Sequence, residues 1–173
     1  MKRKMKSGFT MISVEKVTLN IGVGGAGEKM ERAKLLLERL AGQKPIETVG
    51  KKRIPAWNVK PGFPIGTKVT LRGKRAGDVL NRCLDSVDRK LRERNFDATG
   101  NFAFGVREYI DVPGLKYMPE IGMFGFDVCV TLKKHGYRVK KRKRKQTGIP
   151  KRHFITKTEA VDYAKTALTA QIE

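Results

Sequence analysis

Residues 22–27 read Gly-Val-Gly-Gly-Ala-Gly, which puts Gly22, Gly24 and Gly27 at the spacing of a dinucleotide fingerprint, with Glu47 twenty residues beyond Gly27. In that chemistry the glycines let the backbone approach a pyrophosphate, and the carboxylate takes a ribose hydroxyl. The surroundings argue against it. The next strand is entered through Lys44-Pro45, Glu47 falls in mid-strand, and no alternation of helices with parallel strands follows. A flexible strand-to-helix turn, with backbone amides near a phosphate, accounts for the same residues. His135 and His153 both lie in a basic stretch, with no carboxylate or nucleophile close by in sequence to make either a general base. Asp85 and Asp88 are three apart on a helical pattern and are placed to pair with Arg89 and Arg92 rather than to hold a metal. Cys83 and Cys129 are isolated, with neither zinc nor redox spacing, and read as small apolar fillers in a reducing compartment. No catalytic residue, metal ligand set or cofactor follows from these groups, and the chain does not read as an enzyme.

The elements that would position side chains are visible as periodicity. Residues 14–21 alternate as a strand, with Val17, Leu19 and Ile21 on one side and Lys16, Thr18 and Asn20 on the other. Met30, Ala33, Leu37, Leu40 and Ala41 fall at helical spacing, and Gly42 is placed to stop that helix. A short strand over 46–49 is followed by a long basic loop from Gly50 to Gly66, stiffened by Pro55, Pro61 and Pro64. Residues 67–72 alternate again, with Val69 and Leu71 opposed to Lys68, Thr70 and Arg72. A second helical stripe runs through Ala76, Val79, Leu80, Cys83, Leu84, Val87 and Leu91. After an aromatic, glycine-punctuated segment over 100–110, a last strand spans 126–133, and Thr156-Lys-Thr-Glu159 has the form of a capping box. This order predicts an α+β fold: a mostly antiparallel sheet with helices packed on one face and the other face left free, then a basic C-terminal extension with a terminal helix. The charge and the motifs described below make RNA the expected occupant of that other face. The expected divisions are an RNA-binding α+β domain over 10–133, a basic extension over 134–155 and a C-terminal helix over 156–173.

Charge supplies the partner class. Lys and Arg number 38 against 17 Asp and Glu, a formal net charge of +21, while 39% of residues are apolar, enough for a core. Such an excess repels itself unless a polyanion neutralises it, and nucleic acid is the commonest one. An anionic membrane is the competing surface, but the most basic stretch lacks the bulky apolar residues of an interfacial helix. The lysine-rich start, Met1–Lys6, is interrupted by Glu15 and Lys16 before any signal-like apolar run forms, and no transmembrane candidate exists. From 128 to 158 there is no acidic residue, and Arg138, Lys140, Lys141, Arg142, Lys143, Arg144 and Lys145 form a run that cannot fold alone. In the loop, Arg53 and Lys60 are interleaved with Trp57 and Phe63, a pattern that suits backbone contact and stacking on RNA as well as a plain hydrophobic tuck of Trp57. The outward groups of the two alternating strands suit phosphate and ribose hydroxyls, and equally an ordinary solvated face.

Four motifs decide between these readings. Glu15-Lys-Val-Thr-Leu-Asn-Ile-Gly-Val-Gly24, Ala41-Gly-Gln-Lys-Pro45, Pro64-Ile-Gly-Thr-Lys-Val-Thr-Leu-Arg-Gly73 and Gly100-Asn-Phe-Ala-Phe-Gly-Val-Arg-Glu108 resemble, in order and spacing, the large-subunit ribosomal protein five family. The resemblance covers residues 10 to about 133. It implies a structural protein of the cytoplasmic ribosome that binds 5S rRNA in the central protuberance, contacts large-subunit rRNA, and lies near peptidyl-site tRNA, neighbouring ribosomal proteins and the small-subunit head. The family's RNA-contacting polar positions carry over onto Asn20, Gln43 and Thr70, with Lys16, Thr18, Lys44, Lys68 and Arg72 beside them, and its tRNA-proximal loop onto residues 51–66. After residue 133 the chain departs from the compact bacterial pattern and resembles the archaeal form. A generic nucleic-acid-compacting protein remains the alternative that charge alone allows, and a dinucleotide enzyme the one that the glycines allow.

Overall fold

The computed structural model describes residues 11–173; the lysine-rich start and the expected domain start at residue 10 lie outside the described residues. Five strands form one antiparallel sheet: β1 (Ile12–Gly22), β2 (Ile46–Val49), β3 (Pro64–Leu71), β5 (Phe102–Val106) and β6 (Phe126–Lys134), in the order β2-β3-β1-β6-β5. A two-residue strand, β4 (Lys90–Leu91), pairs in parallel with β7 (Gln171–Ile172). Helices α1 (Glu28–Ala41), α2 (Lys74–Asp85) and α3 (Lys157–Ala167) complete the fold. The core follows the alternation. Val17, Leu19 and Ile21 of β1, Val69 and Leu71 of β3, and Val128, Val130 and Leu132 of β6 are buried together with Leu36, Leu37 and Leu40 of α1 and Leu80, Cys83 and Leu84 of α2. Gly42 stops α1 in the left-handed conformation, at φ 62°, where its N–H donates to the carbonyl of Glu38.

Several boundaries differ from the sequence expectation, each for a physical reason. β1 is longer than its alternation and carries a bulge: Val14 pairs with Leu132 and Lys16 with Thr131, so Glu15 is an extra residue. The bulge resolves a conflict of parity, because strict alternation would have turned apolar Val14 to the same side as Lys16. β3 starts at Pro64, so Gly66 is no loop end but sits within the strand opposite Gly22. There a Cβ would come within 2.6 Å of the Ile21 carbonyl oxygen, which only glycine avoids. α2 ends at Asp85, short of Val87 and Leu91, since Asp88 and Arg89 take left-handed φ values of 53° and 56° and reverse the chain. Arg89 holds that reversal through Asp85 Oδ1 at 2.7 Å and the Leu168 carbonyl at 2.8 Å. Leu91 is therefore buried from β4 rather than from the helix. Asp88 meets Lys90 at 3.8 Å rather than Arg92.

The segment after β6 returns to the same core. Tyr137, Ile155, Ala160, Ala164 and Leu168 all join the buried cluster. Gly100, at φ 78°, lets Ile155 approach so closely that an added Cβ would lie 2.9 Å from the Ile155 Cβ. Thr156 caps α3 in both directions: its hydroxyl accepts from the Glu159 N–H at 3.3 Å, and its own N–H donates to Glu159 Oε2 at 3.0 Å. The same carboxylate takes Lys134 Nζ at 2.7 and 2.9 Å. Lys134 occupies an inward position of β6, is only 5% exposed, and completes its bonding with the Phe154 carbonyl at 3.1 Å. Burial opposes ionisation of Glu159, but its bonds from Lys134 and Thr156 outweigh that and lower its pKa from the ordinary value of 4.5.

A carboxylate with a depressed native pKa contributes stability above its unfolded value and loses it as pH falls through the native one. Glu159→Gln should therefore destabilise the chain by about 2 kcal/mol at neutral pH, because it leaves the Lys134 ammonium buried and poorly paired. Urea unfolding should show that gap at pH 7 and show it shrinking as pH drops below the ordinary carboxylate range; an unchanged gap at low pH would contradict the pairing.

Candidate nucleic-acid interface

Strand register decides which side chains share the face opposite the buried residues. Across β3, β1 and β6, Lys68 stands beside Asn20 and Asn20 beside Asp127; Thr70 stands beside Thr18 and Thr18 beside Cys129; Lys16 stands beside Thr131. β2 and β5 extend the first row, Ile46 beside Lys68 and Gly105 beside Asp127. Lys16, Thr18, Asn20, Lys68 and Thr70 are thus brought together on one face, and Arg72, just past the end of β3, reaches the Glu15 carboxylate at 3.7 Å; each of the six is exposed or half-buried. Short hydroxyl and amide groups at its centre with cations around them offer donors to phosphate and ribose oxygens without bulk between the sheet and a ligand. Gln43 and Lys44 are exposed in the turn from α1 into β2, next to the edge of the sheet rather than within these rows.

Two features of the face lie outside the sequence expectation. Cys129, expected as a filler, is exposed beside Thr18, because its parity in β6 is that of Asp127 and Thr131. Cys83 is the buried thiol, pushed up to about 12 by desolvation. Glu15 belongs to no chemical pattern in the sequence, yet the bulge sets its carboxylate against Arg72 at 3.7 Å and against Lys141, leaving it 11% exposed. Burial works against its charge, and Lys141, Arg72 and Lys16 outweigh that and lower its pKa. The only sequence signal for this arrangement is Val14 standing at an outward parity.

The loop between β2 and β3 has a defined shape. Gly50 closes its neck, donating to the Phe63 carbonyl at 2.8 Å and accepting from Gly62 at 2.9 Å. Ile54 and Val59 pair at 2.9 and 3.2 Å around a helical turn over Pro55–Trp57. Trp57 stands at the tip, 72% exposed, so it is not tucked against the domain. Arg53, Lys60 and Phe63 instead line one shallow concavity of about 370 Å³, from which Trp57 is absent.

In the basic run, Lys140 lies 4.9 Å from the centroid of the Tyr137 ring, Arg142 Nε donates to the Lys145 carbonyl at 2.6 Å, and Gln146 donates to the Lys140 carbonyl at 2.6 Å. Arg138, Lys140, Lys141, Arg142, Lys143, Arg144 and Lys145 are all exposed or half-buried. The run has a local shape because Tyr137 and Ile155 anchor its two ends, which its charge pattern could not reveal. His153 approaches the His135 carbonyl at 2.8 Å.

The glycine-rich turn does not form a nucleotide cradle. The N–H groups of Val23 and Gly24 both point inward to the Ile65 carbonyl, at 3.0 and 2.8 Å, and Glu47 is held by Lys34 at 2.6 Å. Among the described residues no group of three or more His, Cys, Asp or Glu is placed to hold a metal ion, and no helix is long and apolar enough to cross a membrane.

A family model described as ribosomal protein L5 matches residues 9–60, and a second, describing the C-terminus of the same ribosomal family, matches residues 64–163. The chain belongs to the ribosomal protein L5 family. The first match ends at Lys60 in the β2–β3 loop, and the second begins at Pro64, the first residue of β3. The chain is 48% identical to the large ribosomal subunit protein uL5 of Sulfurisphaera tokodaii over 155 residues, 89% of this chain and 88% of that one. Against the protein of the same name from Nanoarchaeum equitans it is 46% identical over 169 residues, 97% of this chain and 99% of the other. Against that of Methanococcus maripaludis it is 46% identical over 162 residues, 92% and 90% of the two chains. Membership in the L5 family makes the chain an RNA-binding structural component of the large ribosomal subunit and not an enzyme.

The two thiols report on the face directly. In the native, RNA-free chain, iodoacetamide should modify Cys129, faster as pH rises, and leave Cys83 untouched until the protein is unfolded. Equal modification of both in native buffer would mean that the sheet does not separate them.

Proposed function

We propose that the chain binds 5S rRNA through the open sheet face, adds large-subunit rRNA contacts through its basic run, and meets peptidyl-site tRNA with the β2–β3 loop. The observation that carries the first part is the register of polar groups: Asn20 between Lys68 and Asp127, and Thr18 between Thr70 and Cys129, on the uncluttered side of a sheet whose other side is core. Such a face meets a folded RNA through ribose and phosphate, with Gln43 and Lys44 extending contact at the sheet edge. Residues 10–133 would do the binding, 134–155 would add cationic contacts, and the helix within 156–173 would fix the start of the run through Lys134 and Glu159. The ribosomal proteins of the central protuberance and the small-subunit head would be neighbours.

For the loop, support comes from its closed neck and exposed tip. A long connection that is internally paired projects as a unit and loses little entropy on docking. Arg53, Lys60 and Phe63 share one concavity and Trp57 caps the end, groups suited to backbone and stacking contacts that every tRNA offers.

Asn20→Ala, Gln43→Ala and Thr70→Ala should each weaken 5S rRNA binding by about 1–3 kcal/mol with little change in salt dependence, since no charge is removed. Lys16→Ala or Lys68→Ala should instead reduce the salt slope by about one unit each. Equal losses on 5S rRNA and on an unrelated RNA of the same length for the three polar variants would overturn the assignment of the face and favour a generic compacting protein. Replacing residues 54–63 by a glycine linker should spare 5S rRNA affinity and weaken retention of peptidyl-site tRNA on ribosomes. Loss of 5S rRNA binding by that folded variant would move the loop to the rRNA interface.

A further inference from the structure

We propose that the cavity at the bulged end of β1 receives one unpaired nucleobase of the bound RNA, and that Glu15 selects guanine there through the N–H groups of its base-pairing edge. This rests on the open face being an RNA surface and extends that reading from backbone contact to base recognition.

The cavity measures about 220 Å³, smaller than pockets that enclose drug-sized ligands and suited to a single nucleoside. Its walls come from separate parts of the chain that the fold brings together. Lys16 and Thr131, register partners on the open face, form one side. Asn101 forms another, and its side chain is held in place in advance. The Asp97 carboxylate accepts from the Asn101 N–H at 2.8 Å and from its amide nitrogen at 3.1 Å, while Asn101 Oδ1 accepts from the Leu132 N–H at 3.3 Å. Phe154 supplies a flat apolar ring, 41% exposed although its neighbour Ile155 is buried, and its backbone is fixed by the bond from Lys134 to its carbonyl. An exposed, positioned ring beside polar walls is the arrangement on which splayed RNA bases stack.

Glu15 gives the cavity its selectivity. In a chain of net charge +21, a carboxylate on the nucleic-acid side repels phosphate, so its role is to accept hydrogen bonds from the donors RNA has. Those are the 2′-hydroxyls and the base imino and amino groups. Guanine alone among the four common bases presents an imino N–H and an amino group side by side, a match for the two oxygens of one carboxylate. Glu15 is suited to this as an ionised acceptor, since Lys141 and Arg72 hold its charge despite burial. In the free chain Lys141 lies on Glu15, and both line the cavity. Entry of the base displaces the Lys141 ammonium, which is then free to pair with the phosphate of the same nucleotide. Arg72, at 3.7 Å, stays to balance the carboxylate.

The test is an NMR titration of the full chain with GMP, AMP, CMP, UMP and ribose 5-phosphate. GMP should shift the Asn101 and Thr131 amides and the Phe154 ring, and bind about tenfold or more tightly than AMP. Glu15→Gln, whose amide offers one acceptor and adds a donor, should bring GMP within about twofold of AMP and leave ribose 5-phosphate unchanged. Phe154→Ala, which removes an exposed ring, should weaken all four nucleotides and not ribose 5-phosphate. Equal binding of the four nucleotides and ribose 5-phosphate, or an undiminished GMP preference in Glu15→Gln, would overturn the proposal and reduce the cavity to a phosphate-attracting surface. 5S rRNA affinity measured in parallel separates the two readings. If preference for 5S rRNA persists while the nucleotides are not distinguished, only the base pocket falls; if the chain does not prefer 5S rRNA, the proposed function falls whatever GMP does.

Discussion

A strand paired on both sides must send successive side chains to opposite faces, and β1 is that strand here. Between β3 and β6 its register fixes Val17, Leu19 and Ile21 in the core and Lys16, Thr18 and Asn20 on the other side. A slip of one residue would bury a lysine, a threonine and an asparagine and expose three branched apolar side chains, so hydrophobic burial itself holds the polar groups of the open face in place. The helices matter to function through this constraint. By packing on one face they fix which groups the other face offers, and the open face is built directly on the core beneath it.

The bulge at Glu15 is where this rule is locally suspended. One extra residue lets Val14 rejoin the inward row opposite Leu132 and sets an acid among Lys16, Arg72 and Lys141. At that end the returning chain also closes on the sheet: Ile155 packs against Gly100, and Lys134 is shared between Glu159 and the Phe154 carbonyl. The basic run is therefore held at both ends beside the open face. That arrangement keeps its cations near the open face, and their ordering on a polyanion carries a smaller entropic cost than that of a free tail.

What can be read in advance is what depends on local period. Strand parity places Asn20 and Thr70 on one face, helical spacing places Cys83 in the core, and Thr156 with Glu159 announces a cap that forms in both directions. What cannot be read depends on partners distant in sequence. α2 stops at Asp85 and the chain reverses at Asp88 and Arg89, a reversal that Arg89 holds through the Leu168 carbonyl, a group 79 positions away. The loop after β2 looks structureless in sequence because its order lies in backbone pairs, Ile54 with Val59 and Gly50 with Phe63, rather than in apolar spacing. The Glu15 ion pairs with Arg72 and Lys141 escape notice because an isolated acid in a strand carries no pattern of its own. The glycine fingerprint misleads for the converse reason: a spacing can match while its amides and Glu47 are engaged elsewhere.

Lysine acetylation footprinting of the free and 5S rRNA-bound chain tests most directly the proposal that the open face of the sheet is the 5S rRNA surface. Lys16 and Lys68, on the open face, should be protected by the RNA. Lys90 in β4 and Lys165 on the exposed side of α3 should react alike in both states. Protection of Lys90 and Lys165 with Lys16 and Lys68 still reactive would put the RNA on the opposite side of the molecule and contradict the account.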